Sequence, residues 1–346
     1  MRRGVVSVLG GHPPRWLQRA RAGSAGAGAG ALTAERTHGH TAAVVGSSAE
    51  LLDVALPWLA TGLADGDLTV LACDPETTDQ LRDALGADGA DLVSDPGIAL
   101  HGTRPPDAVG ALRLLVERAG ECTTGRVRVL GMPSFGSAAR DRHETQRFEA
   151  VLNLLFAGAP VDRLCVYDRR VLSPDAVASA TATHPHLLAG GNVFTNRGYR
   201  RPETYVRSLP IPREPMEERP PAFAVDGARS LPHFRHQLRA ALAAHVPDRE
   251  RCQDLHLAVS EIAANAFRHG VPPVSARVWA SADRVVCTIT DRGTGAADEL
   301  AGFQPAHGTD LSRGGMGLWL ARKLWDHVDL VAAPTGLTVR LSTSLR

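Results

Sequence analysis

The sequence predicts two domains of different class: an N-terminal α/β domain on a mostly parallel, doubly wound sheet, and a C-terminal α+β domain. Three observations lead there. The chain has 346 residues, the length of about two domains. From Thr37 to about Tyr205, short apolar runs alternate with amphipathic stretches, as strands and helices do when helices cover both faces of a parallel sheet. After a break rich in proline and charge the order changes, with helices first and strands later.

Residues 1–36 hold arginines and the tract "AGSAGAGAGA" but no apolar core, and read as a flexible extension rather than a signal peptide. Within residues 37–206, "TAAVVGS", "LTVLACD", "VRVLGMP" and "DRLCVYD" are aliphatic runs ending near turn formers, hence buried strands. Between them the periodicity predicts helices over Ala49–Leu63, with a kink expected at Pro57, and over Thr77–Leu85, Asp107–Ala119, Ala138–Phe156 and Pro174–Thr181. "RSLPIPREPMEERPPAF" lacks apolar periodicity and predicts a linker over 207–224. In residues 225–346 the expected helices are Leu231–Ala244 and Asp248–His269. Two strands around a turn at Ser281–Asp283 follow, then a glycine-rich stretch from Asp291 to Gly315. A helix over Gly317–Val328 with Leu318, Ala321, Leu324, Trp325 and Val328 on one face comes next, and "VDLVAAPTGLTVRLST" is a closing strand pair.

Composition narrows the function. Net charge is +1, not the footprint of a nucleic-acid binder. No apolar run approaches the roughly 20 residues of a membrane span. The five cysteines are scattered, odd in number and form no CxxC, which points to reduced thiols in a cytoplasm. Lys323 is the only lysine, so no Walker P-loop can be formed.

"SEIAANAFRHG" sets Glu261 and Asn265 four residues apart on one helix face inside an apolar run, where polar groups need a task or a partner. An Asn amide oxygen suits Mg²⁺ beside phosphate oxygens, and a Glu one turn away can accept a proton from an attacking hydroxyl. "DRGTG" follows a strand. Asp291 can accept a hydrogen bond from the exocyclic amine of adenine, while Gly293 and Gly295 let backbone pass close to the base. Gly314, Gly315 and Gly317 precede a helix whose N-terminus can present N–H groups to phosphates, and Arg313 can neutralise phosphate charge.

In this order the three segments resemble the N, G1 and G2 boxes of the GHKL ATPases. Glu261, Asn265, His269 and Gly270 match the first box; Asp291, Gly293 and Gly295 match the second; Gly315 and Gly317, with Met316 between them, match the third. The short domain is similar to anti-sigma-factor serine kinases of the RsbW and SpoIIAB type. That resemblance implies Mg²⁺-ATP in a Bergerat pocket and γ-phosphate transfer to a Ser or Thr of a STAS anti-anti-sigma protein. It also implies a sigma factor as the alternative partner and, by analogy, a homodimer. Two alternatives stay open: a nucleotide-binding anti-sigma scaffold without turnover, and a histidine kinase using His236 in "FRHQLRAAL".

In the N-terminal half, His38, His40, His184 and His186 are ligand-type residues, but the sequence places no carboxylate to complete a site. Satisfied or solvated histidines are the default. "GHTAAVV", "FEAVLNLLF", "LCVYD" and "THP" resemble the MEDS sensory domain, similar to RecA-like folds without a working P-loop. The pairing of MEDS and GHKL domains resembles RsbA-like anti-sigma regulators. It implies His40 as the residue sensing a small-molecule ligand, although Val44 and Val45 stand where an aromatic is usual.

Overall fold

The computed structural model describes residues 39–293, 298, 300–305 and 316–345. The expected N-terminal extension, and Gly295, Arg313, Gly314 and Gly315 of the glycine-rich stretch, lie outside them.

The first sheet has seven strands: β1 (His40–Val45), β2 (Leu68–Ala72), β3 (Val93–Ser94), β4 (Val127–Gly131), β5 (Val161–Asp168), β6 (His186–Ala189) and β7 (Asn192–Thr195). Their order is β3-β2-β4-β5-β1-β6-β7, parallel throughout except for the β6–β7 hairpin at the edge. β2 and β4 are buried along their whole length, as expected of strands covered by helices on both faces. The covering helices are α1 (Ser48–Asp65), α2 (Pro75–Leu85), α3 (Pro105–Ala119), α4 (Ala139–Leu155), α5 (Pro174–Thr183) and the short α6 (Pro202–Ser208). Local signals set their ends. The Ser47 hydroxyl and the Asp74 carboxylate cap α1 and α2, and Gly66 closes α1 in the left-handed region at φ 80°. α1 runs through Pro57, where a kink is expected, as one helix over Ser48–Asp65.

The second sheet is antiparallel, with order β11-β12-β10-β9-β8. Its strands are β8 (Phe223–Ala228), β9 (Val274–Ala280), β10 (Arg284–Asp291), β11 (His327–Ala333) and β12 (Gly336–Ser344). Helices α7 (Leu231–Ala243), α8 (Arg249–His269) and α9 (Gly317–Leu324) pack on it around Phe234, Leu255, Val259, Val278 and Trp325. The last helix stops at Leu324, so Val328 belongs to β11 and not to the helical face. Trp325 is already extended, and the Asp326 carboxylate accepts from Ser344 N and Thr343 Oγ1, drawing the chain to the sheet edge.

The proline-rich segment is more structured than a spacer. It carries a 3-10 turn at Pro215–Glu218, and Glu214 is buried between the two domains, where it accepts from Arg140 at 2.5 Å and Arg284 at 3.0 Å. Around it the domains share a polar seam. Asp329 of β11 takes Arg140 of α4 and Arg340 of β12, the Arg147 guanidinium donates to the Val328 carbonyl at 3.1 Å, and Arg322 lies 3.5 Å from Glu144. Phe303 is fully buried among core residues of the first domain.

Candidate functional site

The site forms where α8, α9 and the end of β10 meet. Asp248 caps α8 by accepting from Arg251 N at 2.6 Å, and the face carrying Leu255, Val259, Ile262 and Ala266 is buried against the sheet. Glu261 and Asn265 sit beside that face, only partly covered. They look onto the first residue of α9. A Cβ at Gly317 would lie 2.7 Å from Asn265 Nδ2 and 3.4 Å from Glu261 Cβ, so a glycine lets the two helices meet here. Arg235 of α7 donates to Ser260 O at 3.1 Å and lies 3.5 Å from Glu261 Oε1, fixing that carboxylate from the side.

Asp291 ends β10 and is 7% exposed. Its Oδ1 accepts from Val271 N at 3.1 Å and Gly293 N at 2.6 Å. The chain folds tightly round it: a Cβ at Gly270 or Gly293 would fall 2.6 Å from the carboxylate. Gly336, at φ 145°, crosses the Asp291 carbonyl so closely that a Cβ there would sit 1.9 Å from its oxygen. Oδ1 thus already takes two backbone N–H groups, and Asp291 lines the adjoining cavity.

That cavity measures about 240 Å³. Asn265, His269, Asp291 and Asp298 supply its polar side, and Ile262, Ile289 and Leu330 its apolar walls. An apolar slot in which the Asp291 carboxylate is held by backbone N–H groups suits a planar ring bearing an amine. An amide oxygen at its rim suits a hard cation beside phosphate, and a carboxylate one turn further suits a proton acceptor.

Among the expected site residues, Asn265, His269, Asp291 and Gly293 line this cavity, Gly317 packs on Asn265, and Met316 is the N-cap residue of α9. Glu261 stands one turn from Asn265, outside the lining. His236 is exposed on α7. Arg235 and Gly336 escaped sequence reading: Arg235 meets Glu261 only through helix packing, and "PTG" reads as an ordinary turn.

A larger cleft of about 590 Å³ lies at the seam between the domains, with Arg104, Asp107, Glu144, Asp326 and His327 in its wall.

Two of the N-terminal histidines, His40 and His184, are not solvated. His40 and His184 are buried and converge with Glu149 and Cys165, their ligand-type atoms all within 4.8 Å of one another. Burial, then the Arg163 charge and His184, press the His40 pKa down to about 3. Burial and the Glu149 charge push the Cys165 thiol well above its usual range. The carboxylate missing from the sequence reading is thus supplied by α4, more than a hundred residues after His40.

Residues 225–343 match the histidine kinase-like ATPase domain family, and residues 39–185 match the MEDS family, the methanogen/methylotroph DcmR sensory domain. The chain is similar to the serine-protein kinase RsbW of Bacillus licheniformis, 34% identical over 105 residues, covering 27% of this chain and 65% of that protein. RsbW of Bacillus pumilus is 34% identical over 110 residues, 28% of this chain and 67% of its own length. RsbW of Bacillus subtilis is 33% identical over 107 residues, 28% and 66% respectively. The chain therefore spans about two thirds of these curated relatives, slightly less for the first. Among the described residues, no helix is long and apolar enough to cross a membrane.

Proposed function

We propose, from the premise that the chain belongs to the histidine kinase-like ATPase family and carries a MEDS domain ahead of it, that it is a cytoplasmic, sensory anti-sigma factor and ATP-dependent serine/threonine kinase. Its substrate in this reading is a STAS anti-anti-sigma protein, with a sigma factor as the alternative partner and a homodimer as the working unit. The kinase unit is 225–346, the sensory unit 37–206, and 207–224 joins them. The order of the parallel strands, with β1 inside the sheet between β5 and β6, supports reading the sensory unit as RecA-like.

The observation that carries the reading is the cavity that brings Asp291 and Asn265 together beside the glycine start of α9. Asp291 accepts the adenine amine through the oxygen that Val271 and Gly293 leave free. Asn265 would hold Mg²⁺, which would offset the charge of the phosphates. The backbone from Gly314 to Gly317, with Arg313, covers the phosphates. Glu261, oriented by Arg235, takes the proton of the acceptor hydroxyl. The serine or threonine oxygen then bonds to the γ-phosphorus, the bond to the β-phosphate oxygen breaks, and ADP leaves. His236 as acceptor is disfavoured, because α7 packs into the ATPase core beside α8 rather than standing on a separate hairpin.

Calorimetry with Mg²⁺-ATP tests the pocket. Roughly micromolar binding is expected for the wild type, and loss of binding for Asp291→Asn and Asn265→Ala. Absence of binding by the wild type sinks the reading. Transfer of labelled γ-phosphate to a STAS protein tests turnover: if Glu261→Ala keeps sigma control, sequestration suffices and kinase activity is dispensable.

A further inference from the structure

The chemistry described so far uses none of the buried polar groups beneath the first sheet. His40 opens β1, Cys165 lies on the neighbouring β5, Glu149 comes from α4, and His184 directly follows α5. His184 is fully buried, and its Nε2 has no hydrogen-bond partner.

The hydrogen bonds around the cluster fix where its protons are. Asn153 spends its amide hydrogens on the carbonyls of Glu149, Ala150 and Thr183, so its Oδ1 faces His40 Nδ1, 3.0 Å away, as an acceptor. His40 therefore carries its proton on Nδ1 and points the Nε2 lone pair inward. Thr183 gives its hydroxyl hydrogen to Ser179 O at 2.8 Å, so His184 Nδ1 faces two acceptors, Thr183 Oγ1 at 2.9 Å and Ala180 O at 3.0 Å. Its Nε2 also points inward. Both nitrogens aim at one carboxylate oxygen, Glu149 Oε2, at 3.5 Å from His40 and 3.3 Å from His184. Cys165 Sγ is 3.3 Å from His40 Nε2. A proton added to one imidazole would satisfy one nitrogen and leave the other facing the carboxylate bare.

We propose that His40, Glu149, Cys165 and His184 form a buried four-ligand site for a divalent transition-metal ion of the zinc class. The donor set of two imidazoles, a thiolate and a carboxylate is the borderline-soft mixture such ions take. The spacing fits as well. Ligand bonds of about 2.0–2.3 Å in a tetrahedron put donor atoms about 3.3–3.8 Å apart; three of the donor pairs lie at 3.3, 3.3 and 3.5 Å, and all four atoms lie within 4.8 Å of one another. The outer contacts are those of a metal site too, with each imidazole held through its second nitrogen by an oxygen. Arg163 lies 3.5 Å from Glu149 Oε1, the oxygen turned away from the histidines, and balances the carboxylate before the metal enters. On binding, one metal–sulfur bond forms and the Cys165 thiol releases its proton to solvent, with no change of oxidation state. A cleft of about 180 Å³ with His40, Asn153 and Tyr199 in its wall adjoins the cluster on the Asn153 side of His40.

The proposal stands apart from the ATP pocket and is tested without nucleotide. The full chain, stripped with a chelator, is titrated with Co²⁺ and then Zn²⁺. The expected result is about one equivalent of Co²⁺, with tetrahedral d–d bands, a thiolate-to-cobalt charge-transfer band, and loss of both on adding Zn²⁺. The nearly isosteric Cys165→Ser is expected to lose the charge-transfer band while keeping its circular dichroism. Asn153→Ala, which touches no metal, is expected to weaken Co²⁺ binding about 10–100-fold. A folded wild type that gives no tetrahedral spectrum, or a spectrum unchanged in Cys165→Ser, overturns the proposal.

Discussion

At the residue scale the arrangement around Asp291 separates recognition from folding. Asp291→Asn keeps an Oδ1 acceptor for Val271 N and Gly293 N, so the local turn survives. It replaces the free carboxylate oxygen with an NH₂ donor, which faces the adenine amine donor to donor. The loss of a charge-assisted hydrogen bond, about 1.5–3 kcal/mol, predicts ATP binding weakened at least about tenfold, with an unchanged melting temperature. Calorimetry and a thermal melt on the same sample check both halves. Glu261 behaves in the opposite way. It stands outside the cavity lining, so Glu261→Gln is expected to bind ATP as the wild type does and to lose phosphoryl transfer by about 10²–10⁴-fold. Single-turnover transfer at saturating ATP measures it, and weakened ATP binding would mean that Glu261 holds the ligand instead. Much of this site was legible in the sequence. Asn265 and Asp291 follow from their spacing and from the glycines beside them. Arg235 does not, because it reaches Glu261 across a helix pair, and neither does Gly336, whose crossing over Asp291 is set by the β11–β12 turn.

At the scale of elements, Gly317 is where two helices and the cavity rim depend on one missing methyl group. Gly317→Ala places a Cβ 2.7 Å from Asn265 Nδ2, so the Asn265 side chain must turn or the start of α9 must retreat. Either change moves the amide oxygen. The expected outcome is weaker binding of Mg²⁺-ATP with a fold still intact by circular dichroism; a variant with wild-type affinity would show that Asn265 does not set the position of the metal. The strands and long helices were readable because their periodicity is set by one apolar face. α4 shows where that logic stops. Its sequence reads as an ordinary amphipathic helix, yet Arg140, His143, Glu144, Arg147 and Glu149 are all buried. Charge on the outward face met a second domain on one side and the histidine cluster on the other. Hydrophobic pattern carries no signal for either partner. The β6–β7 hairpin was missed for a related reason: a short strand at a sheet edge, exposed along its whole length as β7 is, buries too little to show an alternation.

At the scale of the whole molecule the seam joins the first domain to both sides of the candidate ATP site. α9 is tied to α3 by Lys323 and Asp107, 2.6 Å apart, and the segment after β10 is anchored by Phe303 in the first domain's core. Asp329 lies in the middle of this seam, 2% exposed, among Arg140, Arg147 and Arg340. Removing one partner of a buried ion pair leaves charge uncompensated at a cost of about 3–5 kcal/mol. Asp329→Ala is therefore expected to lower the urea midpoint strongly and to make the 207–224 segment open to protease. A variant as stable and as resistant as the wild type would mean the seam contributes little to holding the domains. Acid should act on the same place. Burial first, and then the Arg147 charge, press the His143 pKa from 6.5 to about 4. The native chain thus refuses a proton that the unfolded chain takes up. This contribution to stability is complete above the unfolded value and is lost as pH falls through 6.5 towards 4. Urea midpoints at about pH 7.5 and about pH 5 should differ, and His143→Gln, which cannot titrate, should narrow the difference. An equal difference in the variant would assign the acid sensitivity to other groups.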